Sequence, residues 1–211
     1  SLGLTLNLFG DVALRTTWSR TIARPTFKEL TPVAQQDHLG GQAFAGNPSL
    51  TTSHLENYDM RLEWNPGDGR LLSLSGFTKI IDKPIDYSLR PTTQNQLFVL
   101  PFNYEEGEVI GVECEARLQL GRFHPWLKGL STGGNFTWLE ATVTLPGYEA
   151  RELTTNLKNA GKNTSSVGER RMKDQPEYLA NVYLLYDIED TGTSFALFVN
   201  QTGDTLMAGE S

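Results

Sequence analysis

Charged side chains recur at every second position in two stretches of this chain. Side chains alternate between the two faces of a β-strand, so positions two apart share a face. Charges arranged in this way can line a wet interior or contact whatever fills that interior. The residues concerned are Asp59, Arg61, Glu63, Glu113, Glu115 and Arg117.

Side chains with the spacing needed for catalysis or metal binding are hard to find. His38, His54 and His124 lie far apart and lack the spacing of metal ligands. No nucleophile elbow or phosphate-binding loop occurs in the sequence. The one cysteine, Cys114, lies on an alternating apolar face and is expected to be a small packing residue. We therefore expect neither an enzyme nor a resident metal or cofactor.

Composition narrows the class of protein further. The 211 residues carry a net charge of -7, which argues against a nucleic-acid partner. Mean hydropathy is -0.35, and no apolar run approaches the ~18–20 residues that a transmembrane helix needs. A transmembrane β-barrel remains possible, because each barrel strand is half polar and averages to a soluble-looking composition.

Two-residue alternation of apolar and polar side chains dominates the chain and predicts an all-β, antiparallel fold. In residues 54–64, Tyr58, Met60, Leu62 and Trp64 share one face, and charged residues share the other. Several predicted strands reach the ~9–11 residues that cross a bilayer at a tilt. The eight predicted strands are 2–8, 11–23, 54–64, 70–81, 108–120, 130–144, 176–189 and 193–201.

The connections between these strands alternate between short and long. Short turns include residues 65–69 and 190–192, whereas 24–53, 82–107 and 145–175 are long and polar. Compact domains seldom hold loops above ~12–15 residues, but outer-membrane barrels combine short periplasmic turns with long outer loops. The pattern favours a barrel whose apolar faces meet lipid. A soluble β-sandwich with those faces packed inward remains the alternative.

Several motifs, taken in order, resemble the later barrel strands of TonB-dependent outer-membrane receptors. An aromatic-Ser-x-x-x-x-Arg-Pro pattern runs from Trp18 to Pro25, and a Gly-Asn-Pro-x-Leu turn begins at Gly46. An Asn-Tyr-Asp strand follows at Asn57, and a Phe-x-Lys strand at Phe77 leads to Pro84-Ile85. The stretches "GVECEARLQL", "GGNFTWLEATV", "DQPEYLANVYLLYD" and "FALFVNQTGDTL" continue the likeness over nearly the whole chain.

This resemblance implies a fold and a function. Residues 1–211 would form seven or eight strands of a barrel with roughly 22 strands, and the plug domain and closing strands would lie outside this chain. The whole protein would be a bacterial outer-membrane receptor taking up a ferric siderophore, cobalamin or an oligosaccharide through coupling to TonB. A passive porin is a further alternative. The ligand's identity cannot be read from the loops.

The resemblance also suggests roles for individual side chains. The six alternating charges would face the lumen and contact the plug, or else form a generic wet wall. Aromatic residues of the long loops would meet the ligand, or else pack locally. These are Phe44, Tyr87, Phe98, Phe102, Tyr104 and Tyr148. Membrane lipid would surround the apolar face, and the basic cluster at 169–173 would contact lipopolysaccharide phosphates or form a solvated loop end.

Overall fold

The computed structural model describes residues 1–36, 43–91, 97–161, 168–188 and 190–206. Eight long strands form one antiparallel sheet and confirm the eight predicted strands with small shifts in their ends. Each strand pairs with the next long strand along the chain, as in a β-meander. The eight are β1 (Leu2–Phe9), β2 (Val12–Ala23), β5 (Ser53–Gly67), β6 (Arg70–Asp82), β9 (Glu106–Gln119), β10 (Leu130–Thr144), β12 (Tyr178–Ile188) and β13 (Thr193–Thr202).

The sequence suggested that the long connections are plain polar loops. They instead carry short strands and helices of their own. Four short strands form a second sheet in the order β3-β4-β8-β7, in which β4 and β8 run parallel. They come from two separate connections, so this sheet ties those connections together. The additional strands and helices are α1 (Phe27–Leu30), β3 (Ala34–Gln36), β4 (Ala43–Ala45), β7 (Ile85–Pro91), β8 (Leu97–Asn103), α2 (Gly147–Asn159) and β11 (Glu169–Arg171).

The short connections lie at one end of the long strands, and the long connections lie at the other end. Gly10 and Gly67 adopt positive φ values of 51° and 79° at two of these turns. The connection between β9 and β10 is different, because it contains two 3₁₀ helices, Leu120–Arg122 and Pro125–Leu127. We refer below to the short-turn end and the long-loop end of the sheet.

On the long sheet, many apolar side chains are more exposed than neighbouring charged ones, which is the reverse of the pattern in a soluble protein. On β5, Met60 and Leu62 are 57% and 44% exposed, while the intervening Arg61 side chain is only 28% exposed. Soluble proteins rarely leave so large an apolar surface uncovered. Over the described residues, no second layer covers this face of the long sheet, so the alternative of a β-sandwich is wrong and the predicted barrel fragment is confirmed. The sheet is an open part of a barrel.

The buried core lies at the long-loop end and not between two sheets. Tyr104, Val143 and Leu145 form its centre, at 2%, 0% and 6% exposure. Partly buried side chains from β8, α2 and the segment after β11 pack around them: Phe102, Ala150, Leu153 and Met172. The core therefore fixes the outer elements onto the end of β10. In the described part of the chain, no helix is long and apolar enough to cross a membrane.

Candidate functional site

Five charged side chains form an unbroken row of ion pairs across the polar face of the long sheet. The acids bridge neighbouring bases, with Arg15 3.7 Å from Glu63 and Glu63 3.2 Å from Arg61. Arg61 continues the row to Glu115 at 2.8 Å, and Glu115 pairs with Arg117 at 2.7 Å. We call this row the lumen row. It joins four of the six charged residues singled out from the sequence.

The small residues of β6 make the lumen row possible. Ser75 lies opposite Arg61 and Ser73 lies opposite Glu63, so β6 leaves space above itself between β5 and β9. The guanidinium of Arg61 also donates to the Ser75 hydroxyl at 3.4 Å. A long side chain at either serine would fill the path that these charges use.

The remaining members behave differently. Asp59 and Glu113 lie on the same face but outside the row; Asp59 is exposed and Glu113 half-buried. Arg15 was missed in the sequence because its strand shows only one charge on that face. With three arginines and two glutamates, the row ends in exposed cations: the side chains of Arg15 and Arg117 are 54% and 57% exposed. These ends are suited to contact carboxylates on a partner.

Glycines on the polar face leave room for aromatic rings. A Cβ added at Gly111 would lie 2.4 Å from Cζ of Phe77, its neighbour across the strands. A Cβ at Gly133 would lie 2.5 Å from the Tyr183 hydroxyl oxygen. The two rings therefore lie over the glycine backbone. This packing fixes the strand register and keeps both rings close to the sheet.

A second group of interacting polar side chains lies in the elements at the long-loop end. Arg170 of β11 donates to the Asp86 carboxylate of β7 at 2.7 Å and to the Tyr104 hydroxyl at 2.9 Å. Tyr104 in turn donates to Glu149 of α2 at 3.0 Å. The Asp86 and Arg170 side chains are only 4% and 13% exposed. We call Asp86, Tyr104, Glu149 and Arg170 the outer cluster.

Burial shapes the protonation of this region. It raises the pKa of Tyr104 to about 12, so the phenol stays neutral and donates to Glu149 at physiological pH. Burial and the nearby Arg170 charge lower the pKa of Lys173. Lys173 is 8% exposed, so for Lys173 and Arg170 the expectation of a solvated basic loop end is wrong. Arg171 does face solvent and pairs with Glu177 at 2.7 Å.

The aromatic residues predicted in the long loops lie in the small sheet, in α2 or beside them. Phe44 packs edge-on against Tyr87 with ring centroids 6.2 Å apart, and the Tyr87 hydroxyl donates to Glu29 at 2.8 Å. Phe98, on β8, is half-buried. Tyr104 is buried in the core and serves the fold. Local packing therefore accounts for part of this set.

Arg90 joins two of the predicted aromatics. Its guanidinium lies 4.2 Å from the Tyr148 ring centroid and 5.4 Å from that of Phe102, which are cation–π distances. The Arg90 Nε is buried and makes no hydrogen bond to any described residue. Tyr148 is 49% exposed, so this pair is partly open to solvent. Arg90 was missed because it is an isolated charge in a polar stretch.

Within the described ranges, no group of three or more His, Cys, Asp and Glu residues could hold an ion. His38 lies outside those ranges. Cys114 is exposed on the apolar face between β6 and β10.

Comparisons with known proteins agree with this geometry. A family model described as TonB dependent receptor-like, beta-barrel matches residues 1–207. Curated proteins give no match to this chain.

Among solved structures, the chain is similar to the siderophore receptor PirA from Pseudomonas aeruginosa, at 15% identity and TM-score 0.55, covering 95% of this chain and 30% of that one. It is similar to the ferric enterobactin receptor PfeA from the same organism, in complex with enterobactin, at 19% identity and TM-score 0.56, covering 95% and 27%. The copper transporter OprC matches at 16% identity and TM-score 0.56, covering 87% and 23%. These likenesses concern the fold, and the chain spans less than a third of each structure.

Proposed function

Because the chain belongs to the TonB-dependent receptor family of β-barrels, we propose that it forms about a third of the wall of a bacterial outer-membrane receptor. The observation that carries the proposal is the reversed exposure of the long sheet, with apolar side chains outward and an ion-paired row on the other face. Family members are transport receptors and not enzymes. The whole protein would take up a scarce nutrient by energy-coupled transport.

Within that receptor, the lumen row would contact the plug domain. Its internal ion pairs hold Arg61 in place, so the row is ordered before any partner arrives. The exposed guanidinium groups of Arg15 and Arg117 would then meet acidic side chains of the plug. Asp59 and Glu113 would meet basic ones. TonB would act through the plug and not on this wall.

The ligand would bind at the long-loop end, above the outer cluster. Tyr148 and Arg90 are the best placed, since the ring is 49% exposed and the guanidinium lies 4.2 Å from its centroid. Aromatic rings and a cation suit a nutrient complex with an aromatic or anionic surface. Siderophore and copper are the cargoes named for the similar structures, and a ferric siderophore is the first candidate here; cobalamin and oligosaccharides are the others.

The apolar face would contact membrane lipid, and its outer rim would contact lipopolysaccharide. Arg20 lies at this rim with a side chain 71% exposed, 5.4 Å from the Trp18 ring and 2.7 Å from Glu56. An exposed guanidinium above an aromatic girdle is suited to a lipid phosphate.

Growth of a deletion strain tests the function. Loss of the full-length protein should slow growth when one nutrient is limiting, with iron supplied only as a siderophore complex tested first, and expression of the full-length gene should restore growth. Removal of TonB should abolish the restoration. Restoration that survives without TonB would instead show a passive porin. Restoration should weaken when Arg90→Gln and Tyr148→Ala are combined. The control is Arg151→Gln, at an exposed position of α2, the helix that carries Tyr148, and it should leave restoration unchanged.

A further inference from the structure

The connection between β9 and β10 differs from the other described turns at the short-turn end. It presents two large, highly exposed aromatic side chains, Phe123 at 68% and Trp126 at 75%. By contrast, residues 68–69 between β5 and β6 form a tight turn with a glycine at positive φ. We call residues 120–129 the aromatic turn. A hairpin needs no such length to reverse direction, so its side chains call for another explanation.

The aromatic turn is held in one conformation by its own backbone. Phe123 N–H donates to the Leu120 carbonyl at 2.9 Å, Leu127 N–H to His124 at 3.0 Å, and Lys128 N–H to Pro125 at 3.1 Å. The backbone N–H of Asp187 in β12 donates to the Gly129 carbonyl at 2.8 Å, which ties the turn to the sheet. The turn therefore presents the two aromatics on an ordered backbone, which lowers the ordering cost of binding.

The position of the turn connects it with the membrane-facing surface. Leu118 lies in the same apolar groove as Trp64 and Phe9, which belong to the short-turn end of that face. Leu120 continues the alternation that places Cys114, Ala116 and Leu118 on this face. Phe123 caps the 3₁₀ helix Leu120–Arg122 and keeps helical dihedrals, with φ -84° and ψ -36°. Because side chains three apart superimpose in such a helix, Phe123 follows Leu120 on the same side.

The chemistry of the turn fits a lipid headgroup region. Trp and other amphipathic rings prefer the boundary between hydrocarbon and water. His124 lies beside the Trp126 ring, with centroids 5.8 Å apart, and adds a polar edge. Arg122 lies 3.6 Å from Asp68, but both side chains are more than 60% exposed, so this weak pair leaves the guanidinium able to reach a phosphate.

We propose that the aromatic turn is an interfacial anchor, in which Phe123 and Trp126 insert among the phospholipid headgroups of the periplasmic leaflet. Arg122 contacts a lipid phosphate beside them. The proposal rests on the proposed membrane location of the wall, and it assigns to this turn a lipid-binding surface. A periplasmic protein docking on the same aromatics is the competing possibility that the test must separate.

The test uses the full-length receptor reconstituted in vesicles of phosphatidylcholine with brominated acyl chains, with unbrominated vesicles as reference. Subtracting the emission of a Trp126→Phe variant from that of the parent isolates Trp126, and a Trp138→Phe variant isolates Trp138 on the wall. Trp138 is 45% exposed on the apolar face and serves as the internal control. Trp126→Tyr provides a second subtraction if the first variant folds poorly.

The proposal predicts that bromolipid quenches both difference emissions, and that bromines near the ester groups quench Trp126 at least twofold more than bromines near the chain ends. Quenching of Trp138 without quenching of Trp126 would overturn the anchor while the membrane location stands. Quenching of neither would overturn both. Burial of Trp126 against a protein would leave it unquenched by bromolipid, and this counts against the anchor.

Discussion

The guanidinium of Arg61 on β5 reaches across β6 and donates to the Glu115 carboxylate of β9 at 2.8 Å. The two residues are 54 positions apart in the sequence, and their strands are not neighbours in the sheet. The contact therefore depends on the space that β6, the strand between them, leaves open above the sheet. Serines at positions 73 and 75 keep that space clear, so the order of the lumen row depends on side chains that carry no charge.

Replacing Ser75 by leucine should break this arrangement. The larger side chain would occupy the path of Arg61, and overpacking of this kind costs about 1–3 kcal/mol. Ser75→Ala keeps the space open and loses only a 3.4 Å hydrogen bond, so its cost should stay below about 1 kcal/mol. Urea unfolding of the receptor in lipid vesicles measures both. Equal stabilities for the two variants would show that the space above β6 does not matter.

Glycine at position 133 should be required, whereas glycine at position 76 should not. An added Cβ at Gly133 would lie 2.5 Å from the Tyr183 hydroxyl oxygen and 2.8 Å from the Ala116 carbonyl oxygen. At Gly76 an added Cβ would meet nothing within 4 Å. Gly133→Ala should lower the folded yield in a refolding assay read by heat-modifiable electrophoretic mobility, and Gly76→Ala should leave it unchanged. Unchanged folding of both would contradict the packing described.

Removal of Arg170 should loosen the outer elements. Arg170→Met leaves the Asp86 carboxylate buried without its counter-charge, which typically costs about 3–5 kcal/mol in a well-buried pair. Hydrogen exchange should then accelerate in β7, β8 and α2, while the long strands stay protected. The neighbouring Arg171→Met, which removes an exposed cation, provides the control. Adding Asp86→Leu to Arg170→Met should recover part of the protection, because the unpaired charge is then gone.

Acid should weaken the start of α1. Partial burial of Glu29 opposes ionisation, but hydrogen bonds from Thr26 and Tyr87 outweigh it and lower the pKa of Glu29. A lowered pKa means that this stabilisation is fully present above the ordinary carboxyl value of about 4.3 and is lost as pH falls through the lowered value. The Thr26 amide shift in NMR should follow this titration. In Glu29→Gln the shift should show no such step, and a persisting step would assign it to another group.

The wall could be predicted from the sequence because its signal is local. Two-residue alternation in β5 or β9 is visible within a dozen residues, and it determines both the strand and its two faces. That alternation placed Arg61, Glu63 and Glu115 on one face, but it did not predict their ion pairs, because Arg61 and Glu115 meet across the intervening strand β6. The same reasoning missed Arg15, since a single charge in a strand gives no pattern.

The outer cluster could not be predicted in this way. Asp86 and Arg170 are 84 positions apart and meet only because the small sheet and β11 bring two different connections together. Each looks like an ordinary solvated charge in its own polar segment. The parallel pairing of β4 with β8 likewise leaves no periodic signal, because β4 has only three residues and the pairing joins two distant connections. Long-range pairing, and not local preference, decides these positions.

The central claim, that the apolar face meets lipid and the charged face meets the lumen, can be tested most directly at two adjacent positions. A nitroxide attached to Cys114 in the full-length receptor, with any other cysteine replaced, reports on the apolar face. A nitroxide at Glu113→Cys in a Cys114→Ser background reports on the opposite face. Collision rates with oxygen, which concentrates in lipid, and with a water-soluble nickel complex are measured for each in vesicles. The account predicts that oxygen dominates at position 114 and not at position 113. Dominance of the nickel complex at position 114, with oxygen dominant at position 113, would contradict it.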